Sequence, residues 1–282
     1  MKELESHFIK TNEMVLHTKV GGPENGPLLI LLHGFPEFWY GWKNQIHIFA
    51  EAGYRVVVPD QRGYNLSDKP KGLGHYTMNV LRDDIIGLID HFQREKATIV
   101  GHDWGALMAW HIAATRPDRV KEIIPINAPH PAVFMEKAVR YPIQIVRSSY
   151  ILFFQLPTLP EKTLQDNGYG LVKKMMQFTS NKGTFSHGVL RTYEVAWSQE
   201  GALTSMLNWY RALRAGSLDQ LSKEKIKVPV HLIWGKGDAF LSFAMAKESM
   251  SKCIEGRFTM VEEATHWIHH EQPYILNRLI ME

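Results

Sequence analysis

The chain is short of the features that mark several classes of protein. It has one cysteine, Cys253, among 282 residues, so no internal disulfide supports the fold. Long apolar runs are missing too. None approaches the roughly 18 residues needed to span a bilayer. The segment from Met1 to Val15 is polar, mixed in charge and without the apolar core of a secretory signal, so a cytoplasmic protein is expected. Asn65-Leu66-Ser67 is then read as a polar turn, not a glycosylation site. A net charge of +3, without a block of basic residues, gives no footprint for nucleic acid. Fourteen histidines occur, but neither His-Glu-x-x-His nor a Cys/His cluster does, so no metal or other cofactor is expected. There are no internal repeats or low-complexity tracts.

What is present is an ordinary globular composition, 45% hydrophobic and 22% charged, in a chain long enough for one large α/β core with an insertion. Leu28–Leu32 is an unbroken apolar run between Gly26-Pro27 and His33-Gly34. Continuous apolarity marks a strand buried on both faces, as in a parallel sheet. Residues 55–58, 97–100, 122–126, 228–234 and 257–261 read the same way. Helical patterns alternate with them. Residues 78–93 place Val80, Leu81, Ile85, Leu88, Ile89 and Phe92 on one face, and residues 106–115, 244–253 and 273–280 form further helices. Such alternation builds βαβ units and a parallel sheet. Residues 7–20 read as a hairpin at the sheet edge. The alternation stops between about Ala132 and Lys227, a stretch too long for a βα connection and rich in Met, Phe, Tyr and Leu. The expected organisation is therefore a core of residues 1–131 and 228–282 with a helical cap of residues 132–227 inserted in it.

Gly101-His102-Asp103-Trp104-Gly105 stands between a strand and a helix, the setting of a nucleophile elbow. The glycines leave room for a tight, strained turn. The central residue is Asp103, where most elbows carry Ser. A carboxylate, with an ordinary pKa of about 3.9, is ionised near neutrality and needs no base. It can displace a leaving group at saturated carbon and become an ester. An Asp at a strand–helix turn is also a common helix cap. Asp238 follows the strand of residues 228–234, and His266 follows the strand of residues 257–261. Open α/β sheets place their sites beyond such strand ends. The order Asp103, Asp238, His266 is nucleophile, acid, histidine. Some proteins with such an elbow carry the acid after the strand that precedes the insertion; that position here holds Asn127, so the acid is read as Asp238. His269 and His270 are expected to start the last helix, facing solvent or capping it. After the first buried strand, His33-Gly34-Phe35-Pro36 is expected to supply the Phe35 N–H, beside that of Trp104, to an oxyanion hole. Pro36 is a candidate for a cis bond.

These features make the chain resemble the α/β-hydrolase superfamily, and within it the soluble epoxide hydrolases. Two cap motifs carry the finer likeness. Tyr150-Ile151-Leu152-Phe153-Phe154-Gln155-Leu156-Pro157 resembles the first tyrosine motif of that family, and Asn208-Trp209-Tyr210-Arg211 the second. Arg62-Gly63-Tyr64, followed by Ser67 and Pro70, resembles its loop after the second buried strand. The resemblance implies that Tyr150 and Tyr210 act as acids on an epoxide oxygen opposite Asp103. A phenol is a neutral donor near pH 7, which suits that task. It further implies substrate contacts from Phe35, Trp104, Tyr150, Phe154 and Tyr210, with a small apolar epoxide and water as reactants. Ile151, Leu152, Phe153 and Phe154, with Met175, Met176 and Phe178, suggest an apolar pocket. A haloalkane dehalogenase would share Asp103, His266 and Asp238, but needs a second halide donor, often Asn where this loop has Phe35. A haloacetate dehalogenase wants arginine where Trp104 and Leu107 stand. A non-catalytic receptor on this fold would often lack a triad member. The oligomeric state is left as monomer or homodimer.

Overall fold

The computed structural model describes residues 4–138, 140, 142–213 and 225–282. Among them, eight strands form one sheet: β1 Glu5–Thr11, β2 Met14–Gly21, β3 Leu28–Leu32, β4 Arg55–Pro59, β5 Ala97–His102, β6 Val120–Ile126, β7 Val230–Gly235 and β8 Gly256–Val261. The sheet order is β1-β2-β4-β3-β5-β6-β7-β8. β1 and β2 form the expected edge hairpin, and β2 pairs antiparallel with β4. Every other pairing is parallel.

β3, β4, β5 and β7 are buried along almost their whole length, but β8 is not: at the sheet edge only its Val261 is buried, so residues 257–261 do not form the doubly buried strand expected of them. Leu28, Ile30 and Leu32 of β3 join one core cluster, while Leu29 and Leu31 join the other. Helices α1 (Ile46–Glu51), α2 (Met78–His91) and α3 (Trp104–Thr115) follow β3, β4 and β5. α3 is buried nearly all round, because Gly105, Ala106, Ala109 and Ala113 let it lie close to the sheet. α2 buries Leu81, Ile85, Leu88 and Ile89 as its periodicity predicts, and Asp84 as well. A charge inside a packed face needs a partner. Arg62 supplies it with two hydrogen bonds, Nε to Oδ2 at 2.7 Å and Nη2 to Oδ1 at 2.6 Å.

Six helices occupy the described part of the stretch between β6 and β7: α4 Pro131–Ala138, α5 Pro142–Arg147, α6 Ser149–Phe154, α7 Leu159–Phe178, α8 His187–Trp197 and α9 Ala202–Ala212. Residues 214–224 of the expected cap lie outside the described residues. α7 is not one helix. Asp166 to Tyr169 leave helical geometry, with Asn167, Gly168 and Tyr169 in the left-handed region, so the chain turns inside it. Helices α10 (Ala244–Met250), α11 (Ile268–Glu271) and α12 (Pro273–Met281) complete the described chain. No helix among the described residues is long and apolar enough to cross a membrane.

Candidate active site

Asp103 sits between β5 and α3 with φ 54° and ψ −117°, a backbone conformation that costs on the order of 1–3 kcal/mol in a non-glycine residue. The neighbouring glycines allow it. A Cβ on Gly101 would strike the carbonyl of Gly105, and one on Gly105 would strike that of Leu32. The Asp103 side chain makes no helix-capping hydrogen bond. It points away from α3 toward the loop after β3. There Oδ1 accepts the Phe35 N–H at 2.9 Å, and Oδ2 lies 3.8 Å from His266 Nε2. Gly34 has no room for a side chain, because the Asp103 carboxylate fills that space. The Phe35–Pro36 bond is cis. The two carboxylate oxygens are therefore distinct, one held by a backbone donor and one facing an imidazole.

His266 is oriented from behind. Its Nδ1 is 2.9 Å from Asp238 Oδ2, which leaves Nε2 for the Asp103 side when Nδ1 carries the proton. Asp238 is fixed on every side. Oδ1 accepts the Phe240 and Leu241 N–H groups at 2.8 and 3.0 Å, and Oδ2 also accepts Asn127 Nδ2 at 2.7 Å. Asn127 accepts the Gly235 N–H at 3.0 Å, so it ties the Asp238 carboxylate to the end of β7. Burial pushes the Asp238 carboxyl up, but the His266 charge and these hydrogen bonds more than offset it, leaving it below the usual range. Burial pushes His266 down, but Asp238 and then Asp103 outweigh it, leaving the imidazole above an ordinary histidine.

Tyr150 on α6 and Tyr210 on α9 reach the same place. Both line the cavity that contains Asp103 and His266. Their rings lie 5.9 Å apart and meet edge to face. Burial, with the nearby Asp103 carboxylate, raises the pKa of both phenols, so both stay protonated at ordinary pH. The rest of the two tyrosine motifs holds them there. Gln155 Nε2 donates to the Tyr210 carbonyl at 3.1 Å, and Arg211 donates to the carbonyls of Phe154 and Leu156 at 2.9 and 2.8 Å. Trp209 Nε1 donates to the Arg62 carbonyl at 3.0 Å, which ties α9 to the loop after β4. Arg62 is itself locked by Asp84, so the pairing inside α2 helps to place Tyr210.

The cavity, about 240 Å³, is walled mainly by apolar side chains. Of the residues expected to line it, Phe35, Phe153, Phe154 and Met175 do so. Trp104 and Ile151 do not; they line a smaller neighbouring cavity. Met176 is fully buried in the core, while Leu152 and Phe178 are 70% and 85% exposed. Helix faces decide this, and short helices in a composite cap gave no periodicity long enough to assign them.

His269 and His270 do not face solvent. Both are buried against Glu37, whose Oε2 accepts His269 Nε2 at 2.8 Å and whose Oε1 accepts His270 Nε2 at 2.6 Å. The Tyr193 hydroxyl of α8 donates to Oε1 at 2.6 Å, and His102 Nδ1 lies 3.4 Å from Oε2. A carboxylate oxygen of Glu37 and one ring nitrogen each of His269 and His270 lie within 4.8 Å of one another, a grouping the sequence motifs gave no sign of. Burial pushes the Glu37 carboxyl up, but its imidazole partners outweigh that and hold it well below the usual range. Burial also keeps His269 well below an ordinary histidine, so it serves as a neutral donor. Glu37 is two residues from Phe35, and His102 Nε2 is 2.8 Å from the His266 carbonyl. The cluster thus braces the Phe35 loop, the Asp103 turn and the His266 loop against α8. Glu37→Gln removes the buried charge and leaves its donors poorly matched. It should lower stability by about 1–3 kcal/mol for each donor left unmatched, a fall in Tm of several degrees at ~2–4 °C per kcal/mol. Thermal melts of the two proteins read this directly, and an unchanged Tm would contradict the bracing role.

The sequence profile of the α/β-hydrolase fold matches residues 27–273. The chain is 51% identical to the AB hydrolase superfamily protein YfhM of Bacillus subtilis, over 100% of this chain and 98% of that protein. It is 38% identical to human epoxide hydrolase 4, over 96% of this chain and 76% of that one. The crystal structure of Bacillus megaterium epoxide hydrolase in complex with an inhibitor superposes with a TM-score of 0.88 at 30% identity, covering 98% of each chain. The chain belongs to the α/β-hydrolase fold family and, within it, to the group that holds the epoxide hydrolases.

Proposed function

We propose that this protein hydrolyses apolar epoxides to vicinal diols through an ester on Asp103. The observation that carries this reading is the pair of protonated phenols, Tyr150 and Tyr210, facing the Asp103 carboxylate inside one apolar cavity. Residues 1–131 and 228–282 form the core in this reading, and residues 132–227 the cap that brings the phenols to it.

In the first step Asp103 Oδ2 bonds to an epoxide carbon. The breaking C–O pair goes to the ring oxygen, which takes a proton from one phenol while the other donates a hydrogen bond. Oδ1, held by Phe35, becomes the carbonyl oxygen of the ester. Esterification removes the Asp103 charge. That charge raises the pKa of both phenols and of His266. Its loss therefore makes the tyrosinate less costly and shifts the imidazole toward its neutral, basic form when a base is needed.

In the second step His266, oriented by Asp238, takes a proton from water, and the oxygen adds to Cγ of Asp103. The Phe35 and Trp104 N–H groups stabilise the charge on Oδ1. Collapse releases the diol, whose new hydroxyl takes the proton from His266. The remaining water hydrogen restores the phenol. The sum is epoxide plus water to diol.

The phenol pair favours this over dehalogenation, in which no oxygen would need their protons. Tyr150→Phe or Tyr210→Phe alone should lower kcat/KM for styrene oxide by about 10–100-fold, since one donor remains. The double variant should fall by roughly 1,000-fold or more. Diol formation followed by chromatography checks this, and a double variant of undiminished activity would remove the tyrosines from the mechanism.

A further inference from the structure

Asp103, Tyr150 and Tyr210 stand where two cavities of unequal size meet. They are the three residues common to both linings. On one side lies the cavity of about 240 Å³ bounded by Phe35, Phe154 and Phe240, which also contains His266. On the other side, among the described residues, lies a cavity of about 40 Å³ bounded by Trp104, Leu107, Ala128, Phe134 and Leu241. Trp104 packs edge-on against the Tyr210 ring at 4.9 Å and forms the wall on that side.

An epoxide presents two carbons. With its oxygen held by the phenols and one carbon at Asp103, the substituents of the two carbons extend away from each other along the C–C bond. Each side must then accommodate what its carbon carries. A cavity of about 150 Å³ accepts benzene, and one of roughly 10–15 Å³ holds a water molecule. The larger arm exceeds the first threshold. The smaller arm falls far short of it, yet exceeds the second. It takes a hydrogen, a methyl or an ethyl group, but not a ring or a long chain.

We infer that this protein is a hydrolase of terminal epoxides, and of internal epoxides whose second substituent is no larger than ethyl. Epoxides with a bulky group on each carbon, such as diaryl epoxides and mid-chain epoxides of long fatty acids, are excluded. The inference rests on the epoxide hydrolase reading and adds its substrate class.

The test compares kcat/KM for styrene oxide, trans-β-methylstyrene oxide and trans-stilbene oxide. These carry hydrogen, methyl and phenyl on the second carbon. The first two should lie within about tenfold of each other, and stilbene oxide should be slower by at least ~100-fold, on the scale of steric discrimination in an apolar pocket. Two variants reshape the small arm from opposite directions. Phe134→Ala enlarges it and should raise the stilbene oxide to styrene oxide ratio at least tenfold. Ala128→Leu fills it and should lower the β-methylstyrene oxide to styrene oxide ratio at least tenfold. Ratios within one protein are insensitive to a general loss of active enzyme, so either variant alone suffices if the other fails to fold. Stilbene oxide turned over as fast as styrene oxide would overturn the inference alone. So would an Ala128→Leu protein slowed equally on all three substrates, which would make the small arm a water-filled recess. No diol from any of them would instead overturn the epoxide hydrolase reading on which it stands.

Discussion

Asp103→Ala should lower kcat/KM for styrene oxide by at least about 10,000-fold, the scale on which loss of a covalent nucleophile is felt. The argument is chemical before it is geometric. Opening an epoxide by water needs both a nucleophile and an acid. Without Asp103 the phenols remain, but no ionised group faces the carbon they activate. His266 is a poor substitute, because its Nε2 lies 3.8 Å from the carboxylate it would have to replace. The fold should tolerate the change. The Gly101 and Gly105 flanks that permit φ 54° remain, and the one side-chain bond given up, from the Phe35 N–H, faces the cavity, where water can replace it. Circular dichroism and a melt beside the wild-type protein establish that the variant is folded. Substantial activity in a folded variant would contradict nucleophilic attack by this residue.

His266→Gln should separate the two steps. Alkylation uses Asp103 and the phenols, so it should still occur once. Ester hydrolysis uses the imidazole as base, and steady-state kcat should fall by roughly 1,000-fold. The expected result is one equivalent of epoxide consumed per active site, little diol, and an intact-mass increase equal to the epoxide. Glutamine keeps a polar group near Asp238, whose remaining partners are the Phe240 and Leu241 N–H groups and Asn127. If the variant instead made diol at the wild-type rate, or never gained mass while consuming epoxide, the imidazole would not be the base of the second step.

Much of this was readable from the residues in order. Unbroken apolar runs such as Leu28–Leu32 were legible as buried parallel strands, because burial on both faces removes alternation. The Gly101–Gly105 turn was legible because only glycine fits beside the carbonyls of Leu32 and Gly105. The fixed chain order of the hydrolase sites pointed to Asp238 and His266. The Glu37 cluster was not legible. Its hydrogen bonds to His269 and His270 join residues 232 and 233 positions apart, and no local periodicity encodes a contact of that range. His269 and His270 looked like solvent-facing residues because neighbouring polar residues at a helix start usually are. The turn inside α7 had a signal, Asp166-Asn167-Gly168, of the kind that favours left-handed backbone. Which cap residues line the cavity depended on how six helices stack, and sequence spacing within helices as short as α5 and α6 carries little of that.

The most direct test of the account is a single turnover in water enriched in oxygen-18, with enzyme in excess over styrene oxide, followed by mass spectrometry of the diol and of the peptide containing Asp103. Attack of water on the ester carbonyl puts one heavy oxygen into Asp103 and none into the first equivalent of diol, and this is the expected result. Heavy oxygen in that diol, with Asp103 unlabelled, would mean that water opens the epoxide directly and that no ester forms on this carboxylate.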